Sequence, residues 1–544
     1  MPSRHLLCLA LALVLCASSR AQTPITDTEA AKPDPTAKEQ VAAPAGTAPV
    51  APSVVNAPTQ SDAAPVPAPP PGPTLTLDEC IARALDKNFD LRIQHFGTDT
   101  AKEDVTIAKA DFDPAIELNA TRSHSREPRG TPFVDSEGNI ITSTPASRDQ
   151  QIATLGVTQQ LITGTTVTAS GTLNRYKTDP SVTFFNPSYN SDVALTVRQP
   201  LLKNFGIRVN RAQIERAKLG VEIANLDFKS QVLAVVRNVE TAYYNLAFAR
   251  EQEEWRKFSL GVAQSLYEEN RSRREVGGAI DLDVLQAQVG VANARRNLLL
   301  AQQETHNRED ELIAQIQPFG FTTLSIGAVA LPNDPVPKID SDLAYKRARD
   351  NTPDYAAAQA ALKQLKIDSD VARQNRLPTL DVGGTIGYDA EENSYSRAAR
   401  NVWGSDGYNW QIDAQLRFPI GLRADRARYR QSLISLHRQE ARLEQIDQNV
   451  LVQVRAAVRA VQTNQEGVQI SSLATELSRR QYEAEKARYE SGLSTFRRVQ
   501  ESQADWDNAK VNELQARVNL RNALADLARL EGTSIDRYKI KLAD

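Results

Sequence analysis

Few residues in this chain are spaced for chemistry. Asp281 and Asp283 stand two apart just after Gly277 and Gly278, a spacing open to a hard cation. No further oxygen ligand follows them, and helix capping accounts for the pair without a metal. His95, His124, His306 and His437 are scattered, with no second ligand or nucleophile at a working interval. Cys8 and Cys16 fall in an N-terminal apolar stretch, which leaves Cys80 alone and excludes both an internal disulfide and cysteine-pair redox chemistry. Asn119-Ala120-Thr121 matches a glycosylation sequon but lies in an alternating segment that reads as a strand. There is no Walker loop or dinucleotide fingerprint, so any energy source belongs to a partner. The 544 residues carry 64 Lys+Arg against 67 Asp+Glu, a net charge of -3 that excludes a nucleic-acid partner. No catalytic residue, cofactor or metal site is expected, and the chain does not read as an enzyme.

The segments around these residues are more informative. Arg4 and His5 precede an apolar run from Leu6 to Ala17, and Ser19-Arg20-Ala21 closes an export signal over residues 1–21. Residues 22–73, rich in Ala, Pro and Thr, form a linker whose composition cannot repay the entropy of folding. No later run of about 18 apolar residues exists, so a mature chain that crosses a membrane does so with strands.

The remainder is one unit written twice. Ala84, Asp86, Asp90 and Pro114 match Ala348, Asp350, Asp354 and Pro378 at one constant offset. Arg198 and Pro200 match Arg417 and Pro419, and Arg273, Glu275, Gly277, Val284 and Gln288 match Arg488, Glu490, Gly492, Val499 and Gln503. The first copy spans 74–320, with strands about 114–201 and helices about 203–317. A connector follows at 321–340. The second copy spans 341–532, with strands about 379–419 and helices about 423–531, and 533–544 is a tail. The copies differ mainly where strands are expected, the first being longer there.

Val232, Val235, Val239, Ala242, Leu246 and Ala249 step by three and four, as do Val284, Ala287, Val291, Ala294, Leu298 and Ala301. The second copy repeats the pattern through Val450, Val454, Ala457 and Val461, and from Trp506 to Leu530. A helix from Asn210 to Val276 would be a rod of roughly 100 Å. Between such rods, Leu380 to Tyr388 and Tyr408 to Phe418 alternate apolar with polar residues, at the ~10-residue length of a tilted membrane strand. The first copy offers four strands, Ile116 to Thr121, Leu155 to Leu161, Val167 to Leu173 and Val193 to Leu201, with a turn at Thr163-Gly164. The counts are even, as they must be for a chain that leaves and re-enters the same side of a membrane. Loops are expected over Arg126 to Asp149, Thr178 to Asn190 and Ala390 to Gly407, near which Tyr388, Tyr408, Trp410, Phe184, Phe185 and Tyr189 cluster as an interfacial girdle would. Basic residues follow both strand blocks: Lys203, Arg208, Arg211 and Arg216, then Arg423, Arg426, Arg428 and Arg430. These could form a cationic collar at a lipid surface, or solvated helix ends partnered by Glu215 and Asp425.

The segments Leu75-Thr76-Leu77-Asp78-Glu79, Ala84-Leu85-Asp86-Lys87-Asn88, Gln199-Pro200-Leu201-Leu202 and Arg488-Tyr489-Glu490-Ser491-Gly492-Leu493-Ser494-Thr495, in this order and partly twice, resemble the outer membrane efflux protein family, the TolC-like outer membrane factors. The resemblance implies a mainly α fold with membrane β-strands. Duplicated long-helix hairpins form an α-helical barrel, and a transmembrane β-barrel is shared between the protomers of a homotrimer. It implies an outer-membrane channel extending into the periplasm, the passive duct of a tripartite efflux or type I secretion system, with outer-membrane lipids around it. A periplasmic adaptor (membrane fusion protein) and an inner-membrane pump are its implied partners. A periplasmic coiled-coil adaptor without a barrel is the alternative. By the same resemblance the hairpin tips, carrying Arg273, Gly277, Gly278, Asp283, Arg488, Gly492, Leu493, Ser494, Thr495, Arg498 and Glu501, dock the adaptor and form the aperture. An acidic aperture pair of the family falls on Arg498 and Glu501 here, a departure, while Asp283 holds the matching place in the first copy. Arg498 is expected to pair with Glu501 or Asp283, and Asp281 and Thr495 to cap the helices that follow the glycines.

Overall fold

A computed structural model of the chain describes residues 75–126, 133–134, 136–141, 147–179, 184–317, 329, 338–404 and 407–540. The expected export signal and linker, and nearly all of the connector, lie outside the described residues. In chain order the first copy runs α1 (Leu77–Lys87), α2 (Phe89–Ala110), β1 (Ala115–Arg126), β2 (Phe133–Val134), β3 (Ile140–Ile141), β4 (Ser147–Gln160), β5 (Thr166–Asp179), β6 (Ser188–Pro200), α3 (Ile207–Asn210), α4 (Ala212–Glu275) and α5 (Asp281–Ile316). The second runs α6 (Ser341–Asn351), α7 (Pro353–Gln374), β7 (Thr379–Glu392), α8 (Tyr395–Asn401), β8 (Tyr408–Arg417), α9 (Arg423–Glu490), α10 (Phe496–Glu531) and α11 (Ser534–Arg537).

The duplication is nearly complete in the helices. α1 and α6 are both 11 residues long, α2 and α7 both 22, and α5 and α10 both 36, while α4 has 64 and α9 has 68. Local chemistry explains the short helices. Thr76 and Glu79 form a reciprocal capping box on α1, and Asn88 accepts from the Asp90 and Leu91 amides to start α2. The Asn88 side chain also donates to the Gln315 carbonyl at 3.0 Å, and Asn351 donates to the Glu531 carbonyl at 3.1 Å. In each copy, then, an asparagine at the short-helix corner ties down the end of the returning long helix.

Two matching cores result. The three-four seam of α4 (Val232, Val235, Val239, Ala242, Leu246) buries itself against α1 and the end of α5, around Ile81, Leu312 and Ile316. Val450, Val454, Val458 and Val461 of α9 do the same against Ala344 and Ala348 of α6 and Leu520 and Leu527 of α10. Leu246 is wholly enclosed, and shortening it to Ala would cost about 2–5 kcal/mol. The single expected rod from Asn210 to Val276 is broken once, at Arg211, into the short α3 and the long α4.

The six long strands form one antiparallel sheet in the order β1-β4-β5-β6-β7-β8, while β2 and β3 make a separate small hairpin. All six expected strands are present, and five are longer than expected. β4 reaches back to Ser147, β5 on to Asp179 and β7 on to Glu392, into segments read from sequence as loops. The loop expected after Ala390 contains α8.

Register gives the sheet two chemically different faces. One ladder row reads Ile116, Val157, Ala169, Leu195, Ile386, Trp410, and the next on that face reads Leu118, Leu155, Gly171, Val193, Tyr388, Tyr408. The opposite face carries the row Ala115, Thr158, Thr168, Thr196, Thr385, Gln411. Its hydroxyls meet across strands, Thr158 with Thr168 at 3.2 Å and Thr196 with Thr385 at 3.0 Å, and Arg198 pairs with Asp413 at 3.4 Å. At the level of these rows the apolar side chains are half-exposed to exposed, and α8 touches this face farther out, where Tyr395 meets Tyr189 and bonds Gln151. An exposed apolar face backed by a polar one is the pattern of a strand wall between lipid and water. Among the described residues no helix is long and apolar enough to cross a membrane.

Candidate functional site

The far end of the long helices is built by two glycine turns. After α4 the chain passes Val276 and enters Gly277 at φ +77; the Gly277 amide donates to the Arg274 carbonyl and the Gly278 amide to that of Arg273. After α9, Gly492 has φ +75, its amide donates to the Tyr489 carbonyl, and the Leu493 amide donates to that of Arg488. Both are Schellman closures, which need a residue in the left-handed region, where glycine has no Cβ penalty. A Cβ built on either glycine meets no atom within 4 Å. The demand is conformational, not steric.

Below the turns the two hairpins hold each other. Tyr489 donates its hydroxyl to Oδ1 of Asn270 at 2.5 Å, and Asn270, 0% exposed, donates in turn to the Leu266 carbonyl. The Arg273 guanidinium lies 4.8 Å from the Tyr489 ring centroid and pairs with Glu269 at 2.9 Å. Burial pushes the Tyr489 phenol above its ordinary pKa, the charges of Asp283 and Glu269 push the same way, and Arg273 opposes them. Phe496, Val499, Tyr482, Leu266 and Ala287 close an apolar cluster around this contact, edged by Trp506 stacked on Tyr482. Gly290 of α5 lies against Gln500 of α10, and Gln500 donates to the Gln286 carbonyl at 3.0 Å.

The expected tip residues thus divide into groups. Arg273 lies over the Tyr489 ring and the Asp283 charge acts on its phenol, whereas Gly277, Gly278, Gly492 and Leu493 form the exposed turns. Arg488 pairs with Glu485 at 3.7 Å, and the Ser494 hydroxyl bonds the same carboxylate. Neither expected cap is made. Ile280 precedes α5 while Asp281 sits in its first turn, paired with Arg274, and Thr495 precedes α10 without a side-chain cap bond. Arg498 is exposed and has no acidic partner among the described residues: Glu501 pairs with Arg497 at 2.9 Å, and Asp283 makes no ion pair with Arg498. The Asp281 carboxylate is taken up by Arg274, and no group of three metal-ligating side chains occurs among the described residues.

Sequence reasoning overlooked Asn270, Tyr489 and the apolar residues exposed at the tips: Val276 (83% exposed), Ile280, Leu282 and Leu285 on the first hairpin, matched by Leu493 (72%) on the second. A signal for Tyr489 was available. It stands where the first copy has the exposed Arg274, so only the second of the two Arg-x-Glu-x-Gly turns places this position inward.

At the other end, Tyr388 stands opposite Tyr408 and Trp410 opposite Ile386 on the apolar face, near the sheet edge remote from the helices. The Tyr189 ring lies 4.6 Å from that of Tyr395. At the strand-to-helix junctions, Lys203 and Arg428 share Asp425 at 3.4 and 3.0 Å, Arg211 pairs with Glu215 at 3.2 Å, Arg216 with Asp368 at 3.2 Å, and Arg208 with Asp370. Arg423, Arg426 and Arg430 are exposed without an acidic partner among the described residues.

Comparison with known proteins bears on the whole arrangement. The chain is 27% identical over 340 residues to the pyoverdine export outer membrane protein OpmQ of Pseudomonas aeruginosa, a match covering 58% of this chain and 66% of that protein. It therefore spans just under two thirds of that relative's length. The probable efflux pump outer membrane protein TtgC of Pseudomonas putida is 23% identical over 460 residues, 82% of each chain. Among solved structures, the outer-membrane channel OprN aligns with a TM-score of 0.62 at 19% identity, over 84% of this chain and 89% of that one. The Campylobacter jejuni CmeC outer membrane channel aligns with a TM-score of 0.62 at 16% identity, over 86% and 90%. The fold is the one expected from sequence, mainly α with membrane strands. Residues 166–316 and 344–533 match the profile of the outer membrane efflux protein family, and the chain belongs to that family.

Proposed function

We propose that three copies of this chain form a passive exit duct through the outer membrane and into the periplasm, the outermost part of a tripartite efflux or type I secretion assembly. The observation that carries the reading is the two-faced sheet. Its apolar rows run unbroken over six strands, it is too narrow to close on itself, and it stands on rods of about 96 Å by the rise of α4. A periplasmic adaptor would need the helical hairpins but has no use for an exposed apolar sheet.

The tips are the docking and opening end. Val276, Ile280, Leu282, Leu285 and Leu493 offer apolar anchors to a periplasmic adaptor, which links the duct to an energised inner-membrane pump. The contact of Tyr489 with Asn270 holds the second hairpin against the first, so a partner that pries them apart opens the end. Selection of cargo lies with the pump, as a polar-walled duct discriminates little. Purification from outer membranes in mild detergent tests the reading. A heat-sensitive species of three chains that conducts ions across a planar bilayer is expected, and a non-conducting monomer would overturn it.

A further inference from the structure

The sheet has two free edges, β1 and β8, and what they meet follows from register. In hydrocarbon a strand edge must be hydrogen-bonded, because water is not there to satisfy it. β1 runs away from the helices and β8 returns toward them, so β1 of one chain set beside β8 of another is antiparallel, like every other pair in the sheet. A second copy of the same chain is therefore the occupant these edges fit. We propose that β1 pairs with β8 of the neighbouring copy along its full length, so that all six strands of each chain enter the wall and three copies close a barrel of eighteen. The inference rests on the trimeric outer-membrane reading above and adds to it the junction and the strand count.

Three observations support the pairing. First, β1 and β4 belong to the wall. They pair over twelve residues, and their apolar residues Ile116, Leu118, Leu155 and Val157 continue the rows of β5 to β8 without a break. The turn joining β4 to β5 is seated on the first strand-to-helix junction. A Cβ on Gly164 would lie 2.7 Å from the Asn204 carbonyl oxygen, and the Gly206 amide donates to the Thr163 carbonyl.

Second, the stagger is right for closure. The row through Ala115 reaches β8 at Gln411, six residues before Arg417 ends the strand. β1 has 12 residues and β8 has 10, so all of β8 is paired at a step of six, seven or eight residues per chain. At ~3.3 Å per residue and ~4.8 Å between strands, steps of six and eight over six strands correspond to tilts of roughly 35° and 43°, within the range of closed barrels.

Third, the faces choose between the steps. An odd step would turn the apolar residues of β1 toward the polar row of β8, since side chains alternate. The even steps place Leu118 opposite Ala414 (six) or Leu416 (eight), both on the apolar face. A wall of this strand number leaves an aqueous channel, as in porins of 16–18 strands.

Disulfide trapping in outer membranes tests the junction. Leu118→Cys is combined with Ala414→Cys or with Leu416→Cys, and oxidised chains are run on non-reducing gels; Cys80 is fully buried and does not compete. One of these pairs is expected to give dimers and circular trimers, while Leu118→Cys with Gln415→Cys gives none. Ala169→Cys with Ala414→Cys is the counter-pair. Its crosslinking would place β5 at the boundary and overturn the proposal, as would an intact trimer crosslinked by none of the pairs. A junction that traps but closes at two or four copies would instead overturn the trimer while leaving the β1 to β8 pairing standing.

Discussion

The hydroxyl of Tyr489 donates to Oδ1 of Asn270 across 2.5 Å, joining the last turns of α9 and α4 inside a cluster that water does not reach. Tyr489→Phe keeps the ring and its contact with Arg273 but leaves the Asn270 oxygen without its donor, a loss of about 1–3 kcal/mol for a buried acceptor. The expected result is an intact trimer of higher conductance in planar bilayers. Unchanged conductance would mean that the bond has no part in holding the end closed.

Gly277→Val and Gly492→Val each force a β-branched residue into the left-handed region, at about 1–2 kcal/mol per site. Neither side chain meets a neighbour, so trimer yield should be close to that of the unaltered protein. Export should nevertheless fail, because the turn and the apolar residues beside it change shape. Loss of the trimer together with export would show that the turns serve folding alone.

Glu240 is 1% exposed and accepts the Tyr538 hydroxyl, which fastens the segment after α11 to the middle of α4. Burial raises its pKa above the ordinary carboxyl value, outweighing the opposing effects of Tyr538 and Arg537. The folded state therefore holds a proton that the unfolded state releases at lower pH. Its stabilising effect is complete below the ordinary carboxyl pKa and declines as pH rises toward the raised value. Hydrogen exchange of the amides near Tyr538 should quicken across that interval. Glu240→Gln, which retains the acceptor, should flatten the dependence, and an unaltered pH profile in the variant would place the titration elsewhere.

Of the basic residues after β8, Arg428 has a carboxylate partner, whereas Arg423, Arg426 and Arg430 do not. Replacing these three with Gln should slow insertion into vesicles containing anionic lipid and leave insertion into neutral vesicles as it was, with the difference fading in high salt. An equal response in both vesicle types would reduce the group to solvated helix ends.

The sequence was most legible where a period is sustained. Val232 to Leu246 and Val450 to Val461 repeat apolar positions over several turns, and each of them except the half-buried Ala457 is buried as the spacing requires. Strand existence was legible for the same reason, through two-residue alternation. Strand length was not. Ser147-Arg148-Asp149-Gln150 and Lys177-Thr178-Asp179 continue β4 and β5 with residues polar on both faces, as is natural once a strand rises beyond a membrane core, so alternation no longer marks them. At the tips the glycines announced the turns. The partner of Arg498 was misjudged because spacing along one helix cannot show that Arg497, one residue away, already holds Glu501. Register was beyond the sequence entirely, and with it the alignment of Ile116 with Trp410 across four intervening strands.

Equal helix lengths in the two copies, set against four long strands in one and two in the other, separate two dimensions of the assembly. Reach is fixed by α4 and α9, whose lengths scarcely differ, while girth is fixed by how many hairpins stand between α2 and α4. A hairpin begins and ends on the same side, so adding one changes the circumference without moving the helices that hang beneath. The membrane part can be resized like a barrel given extra staves, and the fittings below keep their gauge.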